Sequence, residues 1–176
     1  MTDRPTERAV SAALCLLALV AFGSPAVISA AERYEGIAYL RGTDRIAYRE
    51  THFVFERDAT HQRLVLYRCA DGTPFGRKWV REVPSAVAPD FDYEDARDGY
   101  REGVRTEQGA RRVFVRENAH AALETRPLPA SADGVLDAGF DAFVRGHGQD
   151  LAAGRAPRLD LIYDRAVRIQ VAAGLE

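Results

Sequence analysis

Glu50 and His52 stand two residues apart in the run RIAYRETHFVFE, residues 45 to 56. On a β-strand, residues two apart share a face. The carboxylate can then orient the imidazole or exchange a proton with it, so the pair could serve as an acid/base couple or as two ligands of a metal ion. A second reactive group is Cys69, one of two cysteines, the other being Cys15 in an N-terminal apolar run. A nucleophilic cysteine needs a histidine within reach and a partly exposed, electropositive setting. Cys69 instead alternates with Val65 and Tyr67, which points to a buried structural thiol.

Around these three candidates, no catalytic set assembles. His61, His120 and His147 fall in separate segments, and neither HExxH nor a short His-x-His pair occurs, so no metal site is expected. There is no G-x-S-x-G elbow, P-loop or G-x-G-x-x-G, and no cofactor is expected. The stretch FDYEDARDGYREGV, residues 91 to 104, is dense in acids and opens like a calcium loop from Asp90. Its sixth position, where glycine belongs, is Asp95, and its twelfth, where a bidentate glutamate belongs, is Arg101. The interleaved arginines point to side chains that pair with one another across a bend at Asp98-Gly99.

The elements that would position such groups are mostly strands. Runs rich in Tyr, Val, Ile, Phe and Thr, broken by Gly, Pro and Asp-Gly, predict strands at 34–40, 45–56, 63–69, 76–83, 111–117, 121–128, 158–164 and 166–172. In 63–69 both faces are apolar, which places that strand centrally, whereas 158–164 reads as half wetted. One helix is expected over DAGFDAFVRGHGQDLAAG, with Phe140, Phe143, Val144 and Leu151 in a 3.6-residue stripe. Asp137 would be its N-cap and Gly154 its stop, while Gly146 and Gly148 would bend or end it near His147. The expected class is α+β: a curved antiparallel sheet of about seven or eight strands, a partial barrel, with one helix packed against it.

Arg4 and Arg8 precede an apolar run from Ala9 to Phe22, followed by Gly23, Pro25 and Ser29-Ala30-Ala31. This is the pattern of a secretory signal peptide, residues 1–31, cleaved after Ala31 or Ala30. The run is short for a membrane span, so no transmembrane segment is expected after cleavage. Leu14 before Cys15 does not fit a lipobox, which argues against a lipoprotein. Residues 32–176 then form a single globular domain, expected in the periplasm. Removing Arg4 and Arg8, and Asp3 and Glu7, leaves 22 basic and 24 acidic side chains. That near-neutral balance argues against nucleic acid as a partner.

The segments YEGIAYLRGTDRIAYRETHFVF, RLVLYRCADGTPFGRKWV, PDFDYEDARDGYREGVR and DAGFDAFVR together resemble uncharacterised secreted or periplasmic proteins of Gram-negative bacteria with no assigned activity. The resemblance reaches to about Arg145 and implies no catalytic residue; beyond it the chain is shorter. A more distant likeness, of architecture alone, is to lipoprotein-carrier-like proteins, whose curved sheet wraps a helix and holds an acyl chain.

The expectation is therefore a non-enzymatic periplasmic protein that binds a lipid or other hydrophobic ligand, or an envelope protein, through its curved sheet. Two alternatives stand beside it. One is a periplasmic enzyme using Glu50 and His52, or Cys69; the other is an envelope scaffold or assembly protein.

Overall fold

Alternation of apolar and polar side chains carries the first eight strands into one antiparallel meander, each strand bonded to its neighbours in sequence. The structure is a computed structural model that describes residues 32–128 and 134–162, and the backbone of 168–172. The expected signal segment and its cleavage site lie outside these residues. The strands are β1 (Glu32–Tyr39), β2 (Ile46–Arg57), β3 (Thr60–Cys69), β4 (Pro74–Pro84), β5 (Pro89–Asp95), β6 (Arg101–Glu107), β7 (Ala110–Arg116) and β8 (Glu124–Pro127).

The sheet is open among the described residues, with β1 and β8 as its edges. Register shifts at Ala38/Tyr39, Tyr67/Arg68 and Arg81/Pro84 interrupt the ladders, and such irregularities bend and twist strands. Two hairpins turn through two residues each, Asp58-Ala59 and Gln108-Gly109, all four with positive φ. This is the turn whose twist matches that of the strands, and it favours glycine or Asn/Asp. Ala59, at φ 54°, holds a left-handed conformation with a Cβ. That costs about 1–2 kcal/mol, against which glycine's extra chain entropy is about 0.5–1 kcal/mol. Ala59→Gly is expected to raise stability by about 0.5–1 kcal/mol, seen as a higher urea midpoint; an unchanged or lower midpoint contradicts it.

Eight strands were expected, but the membership of the sheet differs. Strands β5 and β6 fill the middle of the meander on either side of the bend at Asp98-Gly99, where no strand is expected from the acidic stretch. The expected C-terminal strands instead pair in a second, three-stranded sheet of β9 (Gly134–Leu136), β10 (Arg158–Ile162) and β11 (Arg168–Ala172), in the order β11-β10-β9. Here β9 runs parallel to β10, and β11 antiparallel to it.

Between β9 and β10 come a 3-10 turn (Asp137–Gly139) and two short helices, α1 (Phe140–Gly146) and α2 (Gly148–Ala152). The expected continuous helix is thus divided at His147, where Gly146 and Gly148 remove the local preference for helix. Asp137 is not its N-cap, because α1 begins after Gly139 with no capping side chain, and the Asp137 carboxylate pairs with Lys78. Phe143 and Leu151 are buried, but Phe140 is 40% exposed. Gly154, at φ 70°, closes the segment as expected.

The two layers meet over one face of the large sheet, called here the inner face. Val80, Phe91, Val104, Val113 and Val115 from the sheet pack with Leu136, Ala138 and Ile162. A smaller cluster joins Val135, Phe143 and Leu159 within the second layer. Leu136 donates its N–H to the Val87 carbonyl, and Gly139 passes so close to Val87 that a Cβ would lie 2.0 Å from the same oxygen.

Candidate functional site

Inner-face side chains can be read off the pairing register. Tyr34, His52, Val65, Lys78, Tyr93 and Glu102 form one cross-strand row, and Gly36, Glu50, Tyr67, Gly76 and Asp95 form the next. Glu50 and His52 therefore share the face, and the carboxylate Oε2 lies 2.8 Å from the imidazole Nε2. Gly36 makes room for this pair, since a Cβ there would lie 3.3 Å from Glu50 Oε2. The Tyr34 ring stacks on His52 at 4.3 Å and 12°.

The Glu50 carboxylate faces Nε2 and can accept a hydrogen bond from it. Nδ1 is buried and has no hydrogen-bond partner. Proton transfer needs a reacting group within hydrogen-bond reach of the other nitrogen, and no described side chain bonds Nδ1. The geometry suits an imidazole clamped between Tyr34 and Glu50 better than a proton shuttle.

Cys69 lies apart from this pair. It is aligned with Tyr48, four residues along β2 from His52, a separation of about 13 Å at the rise of a strand. The thiol is half-buried and is not joined to a histidine. His61, His120 and His147 are likewise dispersed, and no cluster of three or more metal-ligating side chains occurs among the described residues.

Two residues beyond His52 in the register lies a charged knot that sequence reasoning did not single out. Arg63 is 8% exposed, yet it bonds the carboxylate of Asp141 on α1, the Ala138 carbonyl at 2.7 Å and the Tyr34 hydroxyl at 3.4 Å. Tyr34 also donates to Asp141 at 3.1 Å, and Arg145 reaches the same carboxylate at 2.8 Å from one helical turn away. Burial alone would push the Asp141 carboxyl up, but Arg63, Arg145 and the Tyr34 hydroxyl together hold it below its ordinary value. The signal was present: Arg63 shares the otherwise apolar face of Val65, Tyr67 and Cys69 in a central strand, and a charge in such a place must find a partner.

Alongside runs a belt of phenols. Tyr67 has Tyr48 at 5.9 Å, Phe75 at 6.0 Å and Tyr93 at 5.5 Å, and Tyr93 has Tyr100 at 6.2 Å, all tilted or edge-on. Burial first and the nearby Glu50 second push the hydroxyls of Tyr48 and Tyr67 upward, while burial and Asp95 do so for Tyr93. These phenols stay protonated at any physiological pH and can donate hydrogen bonds, but they cannot act as anionic nucleophiles. Tyr48 and Tyr67 belong to neither apolar cluster shared with the second layer. Where the layers do meet, a gap of about 160 Å³ is lined by Phe91, Val104, Val113, Leu136 and Ile162, with Glu102 and Asp137 beside them.

The acids of residues 90–98 are engaged by the chain itself. Asp92 pairs with Arg101, Glu94 with Arg77 at 3.0 Å, and Asp95 with Arg97, which holds the Asp95 carboxyl below its usual range. Asp90 accepts from the Thr106 N–H at 2.9 Å and from Arg111 at 3.2 Å. The pairing across the bend at Asp98-Gly99 that the alternation implies is the Asp92–Arg101 pair. Glu94 and Asp90 instead take arginines from β4 and β7, and Asp95 takes Arg97 within the turn.

No helix among the described residues is long and apolar enough to cross a membrane. No protein-family model, no curated protein and no solved structure matches the chain.

Proposed function

We propose that the protein is a non-enzymatic binding protein of the bacterial envelope that takes a ligand or a partner on the inner face of its curved sheet. The observation that carries this reading is the half-buried group of Tyr48, Glu50 and Tyr67, set on the paired strands β2 and β3 and outside the apolar clusters shared with the second layer, with the Tyr93 ring edge-on to Tyr67. Tyrosines on a rigid support offer large contact area and a hydroxyl at little entropic cost. Glu50, which has no arginine or lysine partner among the described residues, adds a fixed acceptor beside them.

The room between the layers, about 160 Å³ among the described residues, falls below the roughly 300–1,000 Å³ of ordinary ligand pockets. That favours a small ligand, or a partner seated on the sheet face, over an enclosed acyl chain. Periplasmic residence follows from the N-terminal pattern and is part of the proposal. Native mass spectrometry of protein purified gently from envelope extracts is expected to show an added mass that Tyr48→Ala and Glu50→Gln remove. A clean unliganded mass, together with no discrete adduct from a photo-crosslinker placed at position 48 in intact cells, defeats the reading.

The rival reading, an enzyme built on Glu50 and His52, is favoured by their 2.8 Å contact. Burial of His52 Nδ1 without a partner weighs against it.

A further inference from the structure

The outer face of the large sheet carries a second recess, independent of the inner-face row. In register across β4 to β7, Trp79 is followed by Asp92, Gly103 and Phe114. Gly103 has no side chain, and the Phe114 ring leans over it, to the point that a Cβ would lie 2.5 Å from Phe114 Cζ. Trp79 stands two strands away, about 9–10 Å at the usual strand spacing. Its ring is braced by Phe55, edge-on at 5.7 Å, and its indole N–H donates to Gln62 at 3.1 Å. Trp79 and Phe114 both line a recess of about 150 Å³, together with Arg81, Asp90, Asp92, Arg105 and Thr106. The Arg101 and Arg105 guanidinium groups lie over the Phe114 ring at 5.5 and 5.0 Å.

The dimensions select an occupant. A cavity of about this volume holds one aromatic ring, and the exposed indole face of such a site is what a planar ring packs on.

The charges select its sign. Asp92 is paired with Arg101, and Asp90 with Arg111 and Thr106. Arg105 is paired with Glu107 at 2.9 Å. That leaves Arg81, exposed and with no ion pair among the described residues, as the uncompensated charge at the rim.

We propose that this recess is a binding site for a small planar aromatic carboxylate, with its ring against Trp79 and its carboxylate on the Arg81 guanidinium. A guanidinium meets a carboxylate with two parallel N–H donors, which fixes the plane of the ligand as well as its charge.

Trp79 is the sole tryptophan of the chain and reports on its own site. Benzoate titrated into the folded domain is expected to change the tryptophan fluorescence saturably, with uncharged benzamide binding about tenfold more weakly. Arg81→Gln should weaken benzoate about tenfold and bring it level with benzamide, while Arg81→Lys retains part of the affinity. Arg81 is exposed, and circular dichroism checks that each variant stays folded. Absence of a saturable change with benzoate, or an Arg81→Gln variant that binds benzoate as tightly as the unaltered protein, overturns the proposal.

Discussion

Gly103→Ala is expected to destabilise the domain by on the order of 3–4 kcal/mol, at the upper end of what overpacking costs. The added Cβ would lie 2.1 Å from the Phe91 carbonyl oxygen and 2.5 Å from the Phe114 ring. The ring can turn away, but the carbonyl cannot. β5 and β6 are locked in register, and β6 is locked to β7 on its other side, so the backbone has no free edge to move toward. Urea unfolding read by tryptophan fluorescence measures the loss. Gly146, with nothing within 4 Å of its added Cβ, is the matched comparison. If alanine at 103 shifts the midpoint no more than alanine at 146, the close approach of the strands is not as described.

The second large effect is expected at Asp141. Asp141→Ala leaves Arg63 almost wholly buried with only the Ala138 carbonyl and a long contact to the Tyr34 hydroxyl. Stranding one member of a buried ion pair costs about 3–5 kcal/mol. The Asp141 side chain is itself 41% exposed, so the expected loss is nearer 2–3 kcal/mol.

The sign of the pH dependence follows from the same knot. The Asp141 carboxyl sits below its unfolded value, so its stabilising contribution is fully present above that value, near pH 4, and is lost as pH falls through the lower folded one. Asp141→Asn should therefore flatten the acid limb of a stability-against-pH curve while lowering the plateau at neutral pH. An acid limb identical to that of the unaltered protein would show that other carboxylates carry it, with Asp95, held low by Arg97, the next to examine.

Much of the sheet was legible because period-2 alternation is local. The central position of β3, the shared face of Glu50 and His52, and the break at His147 all followed from spacing alone. Strands β5 and β6 were missed although Phe91 and Tyr93 alternate with Asp92 and Glu94; the charge density drew attention to a metal loop and away from the period. The parallel pairing of β9 with β10 was not legible, because a three-residue strand carries no periodicity of its own. Of the candidate site, the Glu50–His52 pair could be read within one strand. The Arg63–Asp141–Tyr34 knot joins residues as much as 107 positions apart, and only the packing of α1 on the sheet brings them together.

The meander has one more consequence, for the order of assembly. Each of its eight strands bonds only to neighbours in sequence, so every hairpin can close as soon as its second strand has been made. Growth from the N-terminal end then needs no distant partner. The parallel β9–β10 pair is different, since the whole helical segment must be in place before its two strands can meet. The topology implies a chain that zips up from its beginning and is capped last, with Arg63 waiting in the sheet for the carboxylate that arrives on α1.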